Sequence, residues 1–180
     1  MRHRICIVSI ISFLLCHVPL YAQDTVERTV VHPSAWITLG LGGGYFGPTF
    51  CLKASYASNN NLFSIRYLKG DEFRFNVEGQ YDQPALAFKE LSFLYGRSYT
   101  QHALLLSISA GIGYVAGTDR GSLIQYRDYQ RVDISDVGLP FEAAFRFNLG
   151  FVGLGGSWYG NLNSKRSFSG AMVQLSFGIF

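Results

Sequence analysis

Apolar side chains alternate with polar or small side chains along most of this 180-residue chain, and the pattern is clearest at its end. In residues 171–180 an apolar residue occupies every second position from Ala171 to Ile179, and Phe180 follows. A period of two predicts a β-strand whose two faces meet different surroundings. The same period predicts eight strands, at residues 35–46, 49–57, 62–77, 87–96, 103–114, 136–148, 151–159 and 171–180.

The connections between these strands differ in length. At one end of the predicted sheet the turns near Asn60, Ser98 and Gly150 are short. At the other end the connection at Gly47 and Pro48 is also short, but three loops are longer. These longer loops are residues 79–85, 117–135 and 160–167. Short turns on one side and longer loops on the other are typical of barrels whose short turns face the periplasm.

The composition of the second face decides whether the apolar face points inward or outward. In a soluble lipocalin-like barrel, the alternative interpretation, the face opposite the apolar one meets water and should be rich in Lys, Glu and Asp. Here that face is mostly Gly, Ser, Ala and Thr, which suit the narrow interior of an eight-stranded barrel. Aromatic residues also cluster at the strand ends, as in interfacial girdles. They are Tyr45, Tyr56, Tyr67, Tyr95, Tyr114, Phe147, Phe151, Trp158 and Phe177.

Overall composition agrees with a membrane barrel. Charged residues make up 15% of the chain, against roughly 25% in ordinary soluble proteins. After residue 22 no stretch approaches the roughly 20 apolar residues that a membrane helix needs. The alternation that starts at Leu62 continues past Gly70 to Val77, so it predicts one long third strand or, alternatively, a ninth strand. An even strand number favours the long strand.

The N-terminus has the features of a secretory signal peptide. Arg2 and Arg4 precede an apolar segment at residues 5–15, and Leu20-Tyr21-Ala22 offers a cleavage site. We therefore divide the chain into a signal peptide at 1–22, a periplasmic lead at 23–34 and a barrel at 35–180. The chain after residue 22 holds 13 basic and 12 acidic residues, so no basic surface suggests nucleic acid. Cys51 alone follows the signal, which excludes an intramolecular disulfide.

The alternation, the signal peptide and the terminal Phe together resemble the small bacterial outer-membrane barrels of the outer membrane protein A and X type. The resemblance implies a transmembrane, antiparallel, up-and-down barrel of eight strands in the outer membrane. It implies a monomer in contact with outer-membrane lipid and lipopolysaccharide. It also implies recognition by the barrel-assembly machinery, with Phe177 and Phe180 as part of the assembly signal. No cofactor is expected.

Five ionisable residues fall on the small-residue face of the predicted strands. They are Lys53, Arg66, Glu90, Glu142 and Arg146. In an eight-stranded barrel the second strand lies across the lumen from the sixth, so Lys53 should face Glu142, and buried charges must be paired. A structural ion network is one interpretation and a narrow gated pore is the other. Pro140, on the same face, predicts a local bulge because proline cannot donate to the ladder.

The sequence predicts no catalytic, metal or cofactor site. The glycine-rich runs at 40–47 and 150–156 are not followed by a helix, as a phosphate loop requires. Outer-membrane lipid A deacylases and palmitoyltransferases resemble this chain in size and class, and they use a histidine with a serine or carboxylate near the outer leaflet. Here His32 falls in the lead and His102 at a periplasmic turn. A nucleophile near the outer leaflet would therefore lack its histidine base. Ser157 and Ser167 are then outer-end polar residues.

The loop at 117–135 carries interleaved aromatic and basic residues. They are Tyr126, Arg127, Tyr129 and Arg131. Such a pattern can bind single-stranded nucleic acid or sugars, or contact lipopolysaccharide. A solvated loop is the simplest interpretation. The sequence favours a non-enzymatic outer-membrane barrel with a structural or adhesive role. A small pore or transport-linked barrel is the first alternative, and a lipid A-modifying enzyme is the second.

Overall fold

The protein is a closed barrel of eight antiparallel strands in a computed structural model that describes residues 33–72, 86–125 and 128–180. The predicted signal peptide, most of the predicted lead and the predicted continuation of the third strand to Val77 lie outside these ranges. The strands are β1 (Ser34–Gly44), β2 (Gly47–Ser58), β3 (Asn61–Asp71), β4 (Ala87–Gln101), β5 (Leu104–Gln125), β6 (Asp128–Leu149), β7 (Val152–Asn163) and β8 (Phe168–Ile179). The predicted fold class is confirmed. Within the described residues, no helix has the length and apolar character needed to cross a membrane.

Each strand pairs with its neighbours in the chain, and β1 pairs with β8 to close the sheet. In the closing ladder Leu39 lies opposite Leu175, and Thr38 opposite Ser176. Below the extended part of the β5–β6 hairpin the closed sheet leaves no edge, so each strand finds hydrogen-bond partners on both sides without water. This closed arrangement is the one that the resemblance to small outer-membrane barrels implies.

The turns at the end that holds both the start of β1 and the end of β8 are tight. Asn59 and Asn60 have φ values of 49° and 66°, and Gly150 has a φ of 69°. Asparagine and glycine tolerate this left-handed region, as expected for these two turns. The third turn differs from prediction. β4 continues through Gln101 and turns at His102 and Ala103, rather than at residues 97–101.

The hairpin of β5 and β6 is the largest departure from the predicted strands. Residues 117–135 were predicted as a loop, but 117–125 and 128–135 continue the ladder: Gly117 lies opposite Ile134, and Thr118 opposite Asp133. The register shifts only beyond Arg120. The prediction was wrong because polar and glycine residues resemble a loop in sequence, whereas a ladder already formed below them needs only backbone groups to extend.

The predicted bulge at Pro140 was also wrong. Phe141 lies opposite Ala110 and Gly138 opposite Gly113, so the register toward β5 is the same on both sides of the proline. Toward β7, Pro140 lies directly opposite Asn161. The missing N–H of a proline removes a donor but adds no residue, so the ladder is interrupted locally without an insertion.

The barrel has an apolar exterior. Outward side chains such as Ile37, Phe93 and Val173 are 54%, 59% and 65% exposed, respectively. Nearer the outer end the exterior carries tyrosines, including Tyr45 and Tyr114. In water so large an apolar surface would be unfavourable, but it matches the hydrocarbon of a bilayer.

Glycines allow close strand contact in both glycine-rich runs. A Cβ at Gly42 would fall on the Ala171 carbonyl oxygen, and one at Gly155 on the Phe145 carbonyl oxygen. Both runs lie largely within strands, at the start of β2 and in β1 and β7. Backbone crowding therefore explains them.

Candidate functional site

Four charged side chains meet in the middle of the lumen. Lys53 of β2 donates to Oε1 of Glu142 on β6. Arg66 of β3 donates from Nη1 to the other oxygen of Glu142 at 3.3 Å and from Nη2 to Oε1 of Glu90 on β4 at 2.7 Å. All four residues are buried. We call these residues, Lys53, Arg66, Glu90 and Glu142, the lumen network; its two cations balance its two carboxylates.

Neutral polar side chains complete the hydrogen bonding of the two carboxylates. Gln174 Nε2 donates to Glu142 Oε1 at 3.2 Å and to Ser157 Oγ at 2.8 Å. Asn161 Nδ2 donates to Glu90 Oε2 at 2.8 Å, and Ser92 Oγ to Glu90 Oε1 at 2.9 Å. Such partners reduce the cost of burying charge.

These supporting side chains were not predicted from the sequence. Their signal was present, since Asn161 and Gln174 have the inward parity of their strands. Ser157 was expected to be an outer-end polar residue, but it is 6% exposed and faces the lumen. The expectation was wrong because it considered only its place near the predicted strand end and not its parity.

Arg146 does not belong to the lumen network, although the sequence grouped it there. Its Nε donates to Asn148 Oδ1 at 2.7 Å. Its guanidinium carbon lies 4.1 Å from the Trp36 ring centroid and 4.2 Å from that of Phe180. The physical reason is distance: four residues along a strand span about 13 Å, so Arg146 lies well below Glu142. Cation–π contacts take the place of a carboxylate.

An apolar layer closes the lumen on the outer side of the network. The rings of Phe46 and Phe88 are 4.9 Å apart, and those of Phe88 and Phe168 are 4.6 Å apart. The remaining members of this outer layer are Cys51, Leu68, Val115, Ile134, Tyr159 and Met172. The buried Cys51 thiol packs here as a small apolar group.

A second apolar layer, the inner layer, closes the lumen on the other side. It consists of Trp36, Ala57, Leu62 and Leu105, with Phe180 packed against them. The expected lumen of small residues is therefore correct only in part. Large side chains fill both ends, and the four charges of the lumen network lie between them.

Comparison with protein families and with curated proteins finds no match. Comparison with solved structures finds barrels. A major outer membrane protein from Thermus thermophilus matches with a TM-score of 0.61 and 8% identity, covering 83% of this chain and 100% of that one. The N-terminal β-barrel domain of OprF from Pseudomonas aeruginosa matches with a TM-score of 0.55 and 13% identity, covering 81% and 97%. Ail, the attachment invasion locus protein of Yersinia pestis, matches with 0.55 and 15%, covering 82% and 97%.

The fold is that of the eight-stranded outer-membrane β-barrels. At sequence identities this low, the structural similarity establishes the fold and leaves the role open. The closed sheet and its apolar exterior make the chain an integral membrane protein of this barrel type.

The two terminal aromatics of the outer-membrane barrel have different surroundings. Phe177 points outward and contacts Phe151, with ring centroids 6.2 Å apart. Phe180 points inward, 6.1 Å from the Trp36 ring. Their proposed part in an assembly signal stays a prediction.

The remaining candidate residues are distributed around the barrel. His102 lies at the β4–β5 turn with a φ of 54°, and His32 is outside the described residues. Ser167 exchanges hydrogen bonds with the backbone of Asn163 in the β7–β8 loop. Arg131 pairs with Asp133 at 3.2 Å on the hairpin surface. The side chains of Tyr126 and Arg127 are outside the described residues.

Proposed function

We propose that this chain is a non-enzymatic, non-conducting barrel of the bacterial outer membrane that presents its β5–β6 hairpin for interaction at the cell surface. The observation that carries the proposal is the filled lumen. A barrel without a passage leaves its outer surface as the part available for function.

The lumen is filled along its axis. The outer layer, the lumen network and the inner layer follow one another, and the described side chains of each are in contact. An eight-stranded barrel is only wide enough for its own side chains. Conduction would require breaking the Lys53–Glu142 and Arg66–Glu90 pairs and moving aromatic rings on both sides.

The hairpin extends beyond its neighbours. The outermost β6–β7 pair is Gly138 opposite Asn163, and Asp136 binds the β7–β8 loop through Ser164 and Lys165. Residues 128–134 have no strand partner on that side among the described residues. An exposed strand edge can add a strand from another protein. The name of Ail, an attachment protein of similar fold, favours the same role.

An enzyme is the less favoured candidate. Within the described ranges the one histidine, His102, lies at a turn on the opposite side from the hairpin. Acyl transfer or hydrolysis at the outer leaflet would need a base that activates a nucleophile there. A lipid A mass shift on expression of the protein would support an enzyme and contradict the proposal.

The filled lumen predicts no conductance. Purified protein in planar bilayers should give no discrete channel openings, since side chains occupy the passage. The variant Lys53→Ala/Glu142→Ala, which removes one charge pair, should still not conduct because both apolar layers remain. Regular openings of the unmodified protein would favour the pore alternative.

The surface role predicts that the hairpin is needed for adhesion and not for insertion. Replacing residues 119–132 by Asn-Gly joins Thr118 to Asp133, which already lie opposite one another, through a two-residue turn. Cells that express this variant should show outer-membrane insertion equal to that of cells with the intact chain, but lose adhesion to host-cell or matrix-coated surfaces. Equal adhesion by both would remove the hairpin from the proposed function.

A further inference from the structure

Two lysines lie directly opposite one another on the outward face of β3 and β4. The register pairs Lys69 with Lys89, and both side chains are exposed. Like charges in directly opposite positions of a ladder repel and lower stability. A neighbouring anion would remove that repulsion, so the pair needs explanation.

The position of the pair relative to the apolar exterior indicates which anion is near. The next row toward the membrane centre contains Tyr67, Leu91 and Tyr114, with Leu91 between the two tyrosines. The Tyr114 hydroxyl hydrogen-bonds the Ser135 hydroxyl at 2.7 Å, so its polar end points toward the hairpin side. Tyrosines with this arrangement mark the boundary between hydrocarbon and headgroups. The lysines lie one row above, at headgroup level.

Among the residues that the structure describes, the acidic side chains nearby do not neutralise both lysines. Asp71 pairs with Lys69 at 2.8 Å. Glu72 is bonded through both carboxylate oxygens to Nη2 of Arg120 at 2.7 Å. One adjacent carboxylate for two ammonium groups leaves the pair with a net positive charge.

An apolar groove begins beside the pair. It has a volume of about 550 Å³ and is lined on its apolar side by Leu41 and Phe50, with Lys69, Asp71 and Glu72 at its polar end. Phe50 lies opposite Lys69 in the β2–β3 ladder. A surface with cations beside apolar side chains fits an amphiphile with an anionic head.

We propose that Lys69 and Lys89 bind the phosphate of a phosphorylated lipid in the outer leaflet, with an acyl chain in the groove beside Leu41 and Phe50. The ammonium groups donate to the phosphate oxygens, and the phosphate offsets the repulsion between the lysines. This proposal rests on the proposed function only for its orientation, with the β3–β4 ends in the outer leaflet.

The test measures lipid retention by the whole chain in nanodiscs of phosphatidylcholine doped with bis-phosphorylated lipid A. Because lipid A is present in both leaflets, the measurement does not depend on orientation, conductance or adhesion, and its result is independent of the proposed function. Retained lipid A is counted by native mass spectrometry after detergent extraction. The variants are Lys69→Gln, Lys89→Gln and both together, and Lys165→Gln of the β7–β8 loop is the matched control.

Each single variant should reduce lipid A retention about five-fold, and the double variant about 25-fold, from roughly 1 kcal/mol per lysine near an anionic surface. Lys165→Gln should retain lipid A like the unmodified chain, and dephosphorylated lipid A should be retained weakly by all of them. Equal retention by the double variant, or equal retention of dephosphorylated lipid A by the unmodified chain, would overturn the proposal. So would a loss in Lys165→Gln as large as that in the double variant.

Discussion

Replacing Glu142 with alanine should lower the free energy of unfolding by about 3–5 kcal/mol, the usual cost of breaking a buried ion pair. The carboxylate neutralises Lys53 and also accepts from Arg66, so its loss leaves the lumen network with an uncompensated positive charge. Both cations are buried between the two apolar layers. Urea unfolding in lipid vesicles, followed by the fluorescence of Trp36 and Trp158, measures the effect.

The double variant Lys53→Ala/Glu142→Ala should recover part of that loss, because Arg66 and Glu90 still balance one another. The control is Asp133→Ala, which removes an exposed carboxylate paired with Arg131. Exposed pairs contribute little, so its effect should stay below about 1 kcal/mol. If the double variant is no more stable than Glu142→Ala, the two charges are not energetically coupled.

Ending the chain at Gly170 should abolish membrane insertion. The truncation removes nearly all of β8, the strand that pairs with β1 along residues 35–44 and with β7. The donors and acceptors of β1 and β7 would then face lipid, and each unsatisfied group costs several kcal/mol. Outer-membrane fractionation of cells that express the truncated chain measures the outcome.

Deletion of Phe180 alone is the matched control for this truncation. Phe180 lies beyond the β8 ladder, and its ring covers the Arg146 guanidinium. Removing it gives the guanidinium access to water on the periplasmic side, so folded stability should fall only modestly. Assembly in cells should be reduced more, since the resemblance implies that the terminal aromatic is recognised. Normal insertion of the chain ending at Gly170 would show that β8 is not needed to close the barrel.

Strand parity predicted which side chains enter the lumen. The position of each strand in an eight-stranded barrel predicted which of these side chains face one another. These two facts suffice for Lys53 and Glu142, because opposite strands of a narrow barrel bring inward side chains together wherever their depths agree. Strand parity does not give the depth of a side chain along the barrel axis. Arg146 shares the parity of Glu142 but lies lower, where Trp36 and Phe180 surround it.

The hairpin could not be predicted for a different reason. Residues 117–135 lack the sustained apolar alternation of a membrane strand because the described part of this hairpin extends beyond the apolar exterior. Alternation reports a difference between two environments, and it fades where that difference ends. The ladder continues there through backbone pairing, as between Ala116 and Ser135.

The aromatic lumen layers were missed because residue type alone does not give the face. Phe46, Phe88 and Phe168 are as apolar as the outward Phe93, and all three lie at or near the ends of strands or turns. Alternation is weakest at such positions, since few neighbours fix the parity. Their packing against one another appears only after the barrel closes.

The lumen network also constrains the order in which the barrel can form. Its charges come from β2, β3, β4 and β6, and its neutral partners from β4, β7 and β8. A sheet that has inserted only its first four strands would hold Lys53 without Glu142 and Glu90 without Asn161. Such an intermediate carries desolvated charge that the finished barrel does not, so partial insertion is penalised relative to both the unfolded and the closed states. Insertion of the strands and closure of the barrel should therefore occur as one cooperative transition.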